Sequence, residues 1–338
     1  MTAAGPVRDG RPPEERAFEG RSRFSGVPGP VLAAARGGLR AFGVLTSPLR
    51  AGPDFLVLGA KRAGTTTLYH ALVRHPHVAP LFPRWRRAKS PHYFDLRHGL
   101  PSAWYRSHFP VRRPFGPHRP LAGDAAPYLL YHPLSPRWVA REAPGAALLV
   151  MLRDPVERAW SHHWDRVRNG VEELPFEEAV AEEPGRLAGR EAALLADPHT
   201  PCPAHEHFSY VDRGRYAVQV RRWWTHVPAE RMLIVRCEDF HAEPQRVFDA
   251  VTDFLGLDRF APERFGRHHA HADRPAVPAP VRERLAPVFA RCNQDLAELL
   301  GTPLWWDGDG PTRLDGPGIV RPAGAVPVDG PGPHPRRP

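Results

Sequence analysis

The stretch that decides the fold is Asp54-Phe-Leu-Val-Leu-Gly59-Ala-Lys-Arg-Ala-Gly64-Thr-Thr-Thr67-Leu-Tyr-His-Ala-Leu72. An apolar run typical of a buried strand leads into a basic turn framed by two glycines, and a helical pattern follows. Backbone amides and the positive end of the helix converge at such a turn, so it predicts a phosphate-binding site.

The cations of this turn differ in position from those of an ordinary P-loop. That loop places Lys directly after the second glycine, followed by a Ser or Thr that holds magnesium. Here Thr65 follows Gly64, and the cations Lys61 and Arg62 lie inside the turn. The loop therefore predicts an anion held by amides, hydroxyls and side-chain cations, with no obvious metal-binding step.

Short apolar runs alternate with helical patterns along the middle of the chain. The runs 55–58, 147–152 and 232–235 are continuous, as expected of strands buried on both faces of a sheet. Each ends at a polar cluster, and ligands bind at this end of a parallel sheet. The pattern predicts an α/β fold, a P-loop-containing parallel sheet flanked by helices in three layers (αβα).

Helix signals follow each of these runs. Asp154 is predicted as an N-cap, with Pro155 at the first helical position and Glu157 completing a capping box. The patterns predict helices from Thr65 to near His75, around 214–226, from about 244 to 255, and around 281–300.

Composition predicts one catalytic domain with tails. The chain has 338 residues, of which 42% are hydrophobic and 25% charged, enough for one sizeable core. Residues 1–50 and 307–338 are rich in Pro and Gly and offer little apolar surface, so we expect a disordered or loosely attached N-terminal extension and a disordered C-terminal tail. The domain between them spans residues 51–306.

The net charge of +9 suits anionic partners, but an Arg-rich composition explains it equally well. The chain lacks the aromatic and basic interleaving of single-strand readers, so we expect no nucleic-acid partner. Three widely spaced cysteines form no CxxC pair, which favours a reducing, cytoplasmic compartment over a disulfide framework or a zinc site. No run approaches the about 18 to 20 apolar residues of a membrane span. No pattern indicates an oligomeric state.

A second polar cluster indicates which anion is bound. The run 148–152 ends in Arg153, where an NTPase would have a magnesium-binding Asp, and Asp154 is used as a helix cap. Ser161 lies eight residues further on, about two helical turns, so its hydroxyl can approach the same anion. Together with the first loop, Arg153 and Ser161 predict two separate phosphate subsites.

These segments resemble the sulfotransferases that use 3′-phosphoadenosine 5′-phosphosulfate (PAPS), and most of all the branch of heparan sulfate N- and O-sulfotransferases and their bacterial relatives. The segments that carry the resemblance occur in order between about residues 54 and 301: Gly59-Ala-Lys-Arg-Ala-Gly-Thr-Thr-Thr67, Lys89-Ser-Pro-His-Tyr-Phe-Asp95, Gly123-Asp-Ala-Ala-Pro-Tyr128, Arg153-Asp-Pro-Val-Glu-Arg-Ala-Trp-Ser161 and Gly214-Arg-Tyr216.

The resemblance implies a sulfuryl transfer from PAPS without a metal. Arg153 and Ser161 would hold the 3′-phosphate, and Tyr216 would lie near the nucleotide. The 5′-phosphosulfate would be held by the first loop: Lys61, Arg62, Ala63, Gly64, Thr65, Thr66 and Thr67. An acceptor hydroxyl or amine would attack sulfur in line with the departing phosphate. Charge is retained within the loop, but whether Lys61 or Arg62 touches the leaving phosphate stays open.

The catalytic base departs from the pattern of the family. The heparan branch carries a catalytic Glu at the position of Ser90, and serine cannot replace a carboxylate in proton transfer. His92 is the natural substitute because imidazole titrates near neutrality. Asp124 could orient His92 or act itself.

Other functions stay open from the sequence. A sulfotransferase-fold protein impaired by Ser90, or less plausibly a P-loop kinase or NTPase, would share the same loop. The His268-His269-Ala-His271 run and the group Cys202, His205 and His207 lack a recognised ligand spacing, so we predict no metal site. Acceptor contacts are expected from roughly 84–120 and 166–213, which would suit a small-molecule or glycan acceptor, including a lipid or natural product.

Overall fold

The structure is a computed structural model that describes residues 29–83, 88–112, 119–266, 275–306 and 319–320. The chain divides into two compact units, residues 1–42 and residues 43–338. The described part of the first unit is helical, and the second unit contains the sheet.

The core of the second unit is a six-stranded sheet in the order β2-β3-β1-β4-β5-β6. Five strands are parallel, and β6 is antiparallel to β5. The strands are β1 (Phe55–Gly59), β2 (Val78–Ala79), β3 (Leu121–Ala125), β4 (Ala147–Leu152), β5 (Met232–Arg236) and β6 (Ile319–Val320). Every residue of β1 and β4 is buried, as continuous apolar strands require.

Helices connect and cover these strands. Their bounds are α1 (Gly29–Leu45), α2 (Thr65–Leu72), α3 (Ser102–Arg106), α4 (Ser135–Glu142), α5 (Pro155–Arg168), α6 (Phe176–Leu187), α7 (Arg190–Ala196), α8 (Pro203–His207), α9 (Tyr216–Trp224), α10 (Cys237–Ala242), α11 (Pro244–Phe254) and α12 (Ala279–Leu300). Short 3₁₀ turns lie at Ser47–Leu49, Asp212–Gly214 and Ala229–Arg231. Among the described residues, no helix is long and apolar enough to cross a membrane.

The strand order creates a crevice between β1 and β4. From β1 the chain runs to the edge strand β2 and comes back to form β3 between them, and it then adds β4 and β5 on the other side of β1. Connections on the two sides of such a reversal leave in opposite directions, which opens a ligand site beyond the carboxyl ends of the strands. The predicted phosphate loop and Arg153 follow these two strands.

The three predicted strands and the parallel α/β sheet are confirmed. Asp154 is confirmed as the N-cap of α5, since its carboxylate accepts hydrogen bonds from the amides of Val156 (2.8 Å) and Glu157 (3.3 Å). The prediction that Glu157 completes a capping box is wrong. The amide of Asp154 donates instead to Glu238 (3.0 Å), because Glu157 binds Arg153 at 3.0 Å.

Several elements were not predicted. Helix α1 lies within the N-terminal extension, and β6 lies within the expected C-terminal tail. Strand β3 was missed because Gly123 and Asp124 weaken its strand propensity. The domain bounds 51–306 stay a prediction.

Gly123 yields a test of the pairing between β1 and β3. A Cβ at this position would overlap the carbonyl oxygen and the ring of Phe55, whereas a Cβ at Gly145 would meet no atom within 4 Å. We expect Gly123→Ala to lower the free energy of unfolding by about 3 kcal/mol, the upper end of overpacking costs. Gly145→Ala should change it by less than about 0.5 kcal/mol. Urea unfolding followed by tryptophan fluorescence measures both, and equal effects of the two substitutions would contradict the tight pairing.

Candidate active site

The loop between β1 and α2 lies directly over the crevice. The amide of Ala60 donates to the carbonyl of Met151 on β4 (2.6 Å), which anchors the start of the loop to the neighbouring strand. Gly64 has a left-handed backbone (φ 89°), and a Cβ there would come within 3.3 Å of Met151. Glycine is therefore required at the point where the loop turns into α2, and the amides at the start of α2 face the crevice.

Arg62 joins the two predicted anion subsites. Its Nε donates to the hydroxyl of Ser161 (3.1 Å), and its Nη1 forms an ion pair with Asp165 (3.1 Å). Arg153 donates from Nη1 to the carbonyl of Arg62 (3.3 Å), and the hydroxyl of Tyr216 donates to the carbonyl of Arg153 (2.9 Å). The structure thus brings these predicted residues together and places the Arg62 guanidinium on the side of Ser161.

Two lysines contribute positive charge to the loop, Lys89 from a neighbouring segment and Lys61 from within it. Lys89 donates from Nζ to the hydroxyl of Thr66 (3.2 Å), although the sequence patterns gave Lys89 no role. Ala125, at the end of β3, donates its amide to the carbonyl of Lys89 (2.7 Å), so β3 positions this segment. The charge of Lys61 favours the ionised form of Asp165, the partner of Arg62.

His92 forms a dyad with Asp95. Its Nδ1 lies 3.0 Å from Oδ2 of Asp95, whose side chain is fully buried. The His92 charge and hydrogen bond hold the pKa of Asp95 below its usual value despite burial, so Asp95 stays ionised. When Nδ1–H donates its hydrogen bond to the Asp95 carboxylate, Nε2 is the proton-accepting nitrogen of the ring. The hydroxyl of Ser90 accepts a hydrogen bond from the backbone amide of His92 (2.9 Å) and helps to shape the turn.

Asp124 does not orient His92, which corrects that expectation. One of its carboxylate oxygens accepts from the hydroxyl of Tyr105 (2.9 Å), and the other is buried without a hydrogen-bond partner. Burial raises the pKa of Asp124 to about 7. The orienting carboxylate is Asp95, which the sequence patterns placed at the end of the motif without a role.

Two residues of the candidate site have strained backbones. Among the described residues, Arg62 (φ 74°) and His92 (φ 57°) are the non-glycine residues with a left-handed backbone. Such a conformation costs about 1 to 3 kcal/mol for each residue and persists only where neighbouring contacts fix it. The contacts of Arg62 with Ser161 and Asp165, and of His92 with Asp95 and Ser90, provide that constraint.

The residues considered for a metal site have other partners where they are described. His205 lies 2.7 Å from the hydroxyl of Tyr128, and His207 lies 3.2 Å from Arg166. In the described ranges, no group of three or more His, Cys, Asp or Glu side chains is arranged to hold a metal ion. The run His268 to His271 lies outside the described residues.

Comparisons with known proteins agree with this geometry. A family model described as a sulfotransferase domain matches residues 52–273. The chain is 27% identical over 287 residues to heparan sulfate glucosamine 3-O-sulfotransferase 6 of Mus musculus, covering 75% of this chain and 74% of that protein. It is 26% identical over 336 residues to heparan sulfate glucosamine 3-O-sulfotransferase 3A1 of Homo sapiens, covering 87% of this chain and 73% of that protein.

A solved structure extends the likeness to the fold. The sulfotransferase from Alicyclobacillus acidocaldarius is 25% identical, with a TM-score of 0.58, over 75% of this chain and 98% of that one. The match of the family model runs from the loop before β1 past the end of β5, and so includes the loop, the dyad and the Arg153 cluster. The chain therefore belongs to the sulfotransferase domain family and is a sulfotransferase.

Proposed function

We propose that the chain transfers the sulfuryl group of PAPS to a hydroxyl or amine of a glycan acceptor. The observation that carries the proposal is the position of Arg62, which joins the phosphate loop to Ser161. A donor with one phosphate group at the loop and another beside Arg153 would span both subsites. PAPS has this arrangement, whereas ATP lacks the second phosphate position.

The contacts divide the cations between the two ends of the donor. Lys61, Lys89 and the amides of the loop would hold the 5′-phosphosulfate. Arg62, Arg153 and Ser161 would hold the 3′-phosphate, since the Arg62 guanidinium already lies against Ser161. Under this division, Lys61 rather than Arg62 contacts the phosphate oxygen whose bond to sulfur breaks.

Catalysis would consist of positioning, charge neutralisation and one proton transfer. The acceptor oxygen or nitrogen attacks sulfur while the bond from sulfur to the 5′-phosphate oxygen breaks and its electron pair stays on that oxygen. Lys61 and the loop amides stabilise the charge that develops there. His92, held by Asp95, takes the acceptor proton on Nε2.

The acceptor class is supported by the relatives, whose names describe the sulfation of heparan sulfate glucosamine. We also propose that residues 51–306 form the catalytic domain and that the protein works in the cytoplasm. Cys202, Cys237 and Cys292 are unpaired, which supports a reducing compartment.

Donor binding is tested with adenosine 3′,5′-bisphosphate, the product of PAPS. We expect tight binding in the presence of a chelator and no comparable binding of magnesium-ATP. Arg62→Ala should weaken binding about 10- to 100-fold, because a hydrogen bond to a charged group contributes about 1.5 to 3 kcal/mol. Arg291→Ala, whose side chain is 81% exposed on α12, is the matched control. Isothermal titration calorimetry of the wild type and the two variants measures these affinities. Equal affinities in the two variants would exclude Arg62 from the donor site.

The role of the dyad is tested by turnover of labelled PAPS. His92→Ala should lower kcat about 100- to 10,000-fold, the usual contribution of a positioned base. Asp95→Asn should also lower kcat, because the asparagine amide would no longer stabilise the imidazolium. Affinity for adenosine 3′,5′-bisphosphate should stay unchanged in both. Wild-type turnover in His92→Ala would rule out its assignment as the base, and identical background rates in all proteins would indicate an impaired enzyme.

Burial of Asp124 predicts a pH-dependent stability. Its folded-state pKa of about 7 lies above that of the unfolded chain, so the folded state binds the extra proton and loses stability as pH rises towards 7. For this group alone, unfolding free energy should fall by roughly 3 kcal/mol between pH 5 and pH 8. Asp124→Asn should remove this part of the decline. Urea unfolding at the two pH values checks it, and an unchanged difference would contradict the buried, protonated carboxyl.

A further inference from the structure

A short turn leads into the residue that holds the backbone of Arg153. The 3₁₀ turn Asp212–Gly214 is followed by Arg215 and then by Tyr216, the first residue of α9. The buried Tyr216 donates from its hydroxyl to the carbonyl of Arg153 at 2.9 Å. Because a single residue separates the turn from Tyr216, the position of the turn determines where this hydroxyl lies.

A buried carboxylate of α6 holds the start of this turn. Glu183 is 3% exposed, and it accepts hydrogen bonds from the backbone amides of Val211 on Oε2 and Asp212 on Oε1, both at 2.7 Å. Both carboxylate oxygens are thus used, and the negative charge strengthens each bond. Two consecutive amides bound to one planar carboxylate fix the orientation of the turn as well as its position.

Further contacts hold the same turn from other directions. The hydroxyl of Tyr131, on the segment after β3, donates to Oδ2 of Asp212 at 2.6 Å. A Cβ at Gly214 would lie 2.7 Å from the ring of Phe289 on α12 and 3.1 Å from Cβ of Pro155, the first residue of α5. The end of the turn is therefore closely packed between α5 and α12.

One connection leads from α6 to the predicted 3′-phosphate subsite. It runs from the Glu183 carboxylate to the turn, from the turn to Tyr216, and from the Tyr216 hydroxyl to Arg153. Loss of the carboxylate would leave two backbone amides without their acceptor, and an unpaired amide in the interior is costly enough to shift the turn. A shifted turn would move the hydroxyl away from the Arg153 carbonyl.

We propose that Glu183 is a positioning residue for the donor site, which holds the turn 212–214 so that Tyr216 fixes Arg153 for the 3′-phosphate of PAPS. The inference rests on the proposed function and deepens it. Glu183 acts through the turn and takes part in no bond-breaking step. Its effect is therefore expected in donor affinity, and the proton transfer at His92 should be independent of it.

Titration with adenosine 3′,5′-bisphosphate tests this role. Glu183→Gln keeps the size of the side chain but can accept from only one of the two amides. We expect it to weaken nucleotide binding about tenfold, at the lower end of the contribution of a hydrogen bond to a charged group. Turnover of labelled PAPS should show a higher KM for PAPS with almost unchanged kcat, as expected for a loss of binding alone.

Glu172→Gln is the matched control. Glu172 is also buried, but its carboxylate binds Tyr210 and Arg186 instead of the turn. This substitution should lower the free energy of unfolding, because it breaks a buried network, and leave the nucleotide affinity of the folded protein unchanged.

A double-mutant cycle separates positioning from general destabilisation. Tyr216→Phe removes the hydroxyl that reaches Arg153 and should weaken nucleotide binding about 3- to 10-fold, the usual range for a neutral hydrogen bond. The double variant Glu183→Gln/Tyr216→Phe should bind with an affinity close to that of the weaker single variant, because both changes break the same connection.

The outcomes separate this role from the donor assignment. Absence of nucleotide binding by the wild type would refute the proposed donor and this role with it. With wild-type binding intact, an unchanged affinity in Glu183→Gln, an equal loss in Glu172→Gln, or additive losses in the double variant would overturn the role alone. If Glu183→Gln does not fold, Tyr131→Phe tests the same turn through Asp212, and wild-type affinity in that variant would also overturn the role.

Discussion

The pairing of β1 with β4 determines where the chemistry lies. The two strands run parallel and fully buried, with Leu56 opposite Leu148, and the register shifts between Val57 and Gly59. At this irregularity the Ala60 amide bonds to Met151, and the chain leaves the sheet to form the phosphate loop. Because the strands are buried, their register is strongly fixed. This register brings the two predicted anion-binding positions, which are distant in the chain, to one crevice.

The strained backbones of Arg62 and His92 offset part of the stabilisation that this burial provides. Arg62 is held by Ser161 and Asp165, which belong to α5, whereas His92 is held by the buried Asp95 of its own turn. Under the proposed function, a loop that could relax would let the guanidinium and the imidazole move away from the reacting groups. The contacts that hold the strained backbones would then also provide the positioning that group transfer requires.

Local patterns predicted the features that depend on neighbouring residues. The strands β1, β4 and β5, the Asp154 cap and the glycine turn at Gly64 each follow from a few consecutive residues. Contacts between distant segments could not be predicted in this way. Glu157 turned from the expected capping box to Arg153 and to Arg282, 125 residues away, because those guanidinium groups compete for its carboxylate.

The same limit applies to the site. The quoted motifs contained Lys89 and Asp95, but only the folded chain shows that one meets Thr66 and the other His92.

Charge is distributed unevenly across the candidate site, and this asymmetry fits the proposed reaction. Cations gather over β1 and β4, where Asp165 pairs with Arg62 so that a guanidinium only 9% exposed is not left without a counterion. Carboxyl groups lie towards β3, where the ionised Asp95 holds His92 and the buried Asp124 accepts from the hydroxyl of Tyr105. Under the proposed function, the anionic donor binds on the side of the cations, and the acceptor gives its proton to His92 on the side of Asp95. Negative charge then develops on the leaving phosphate oxygen beside the cations, while the proton moves away from them.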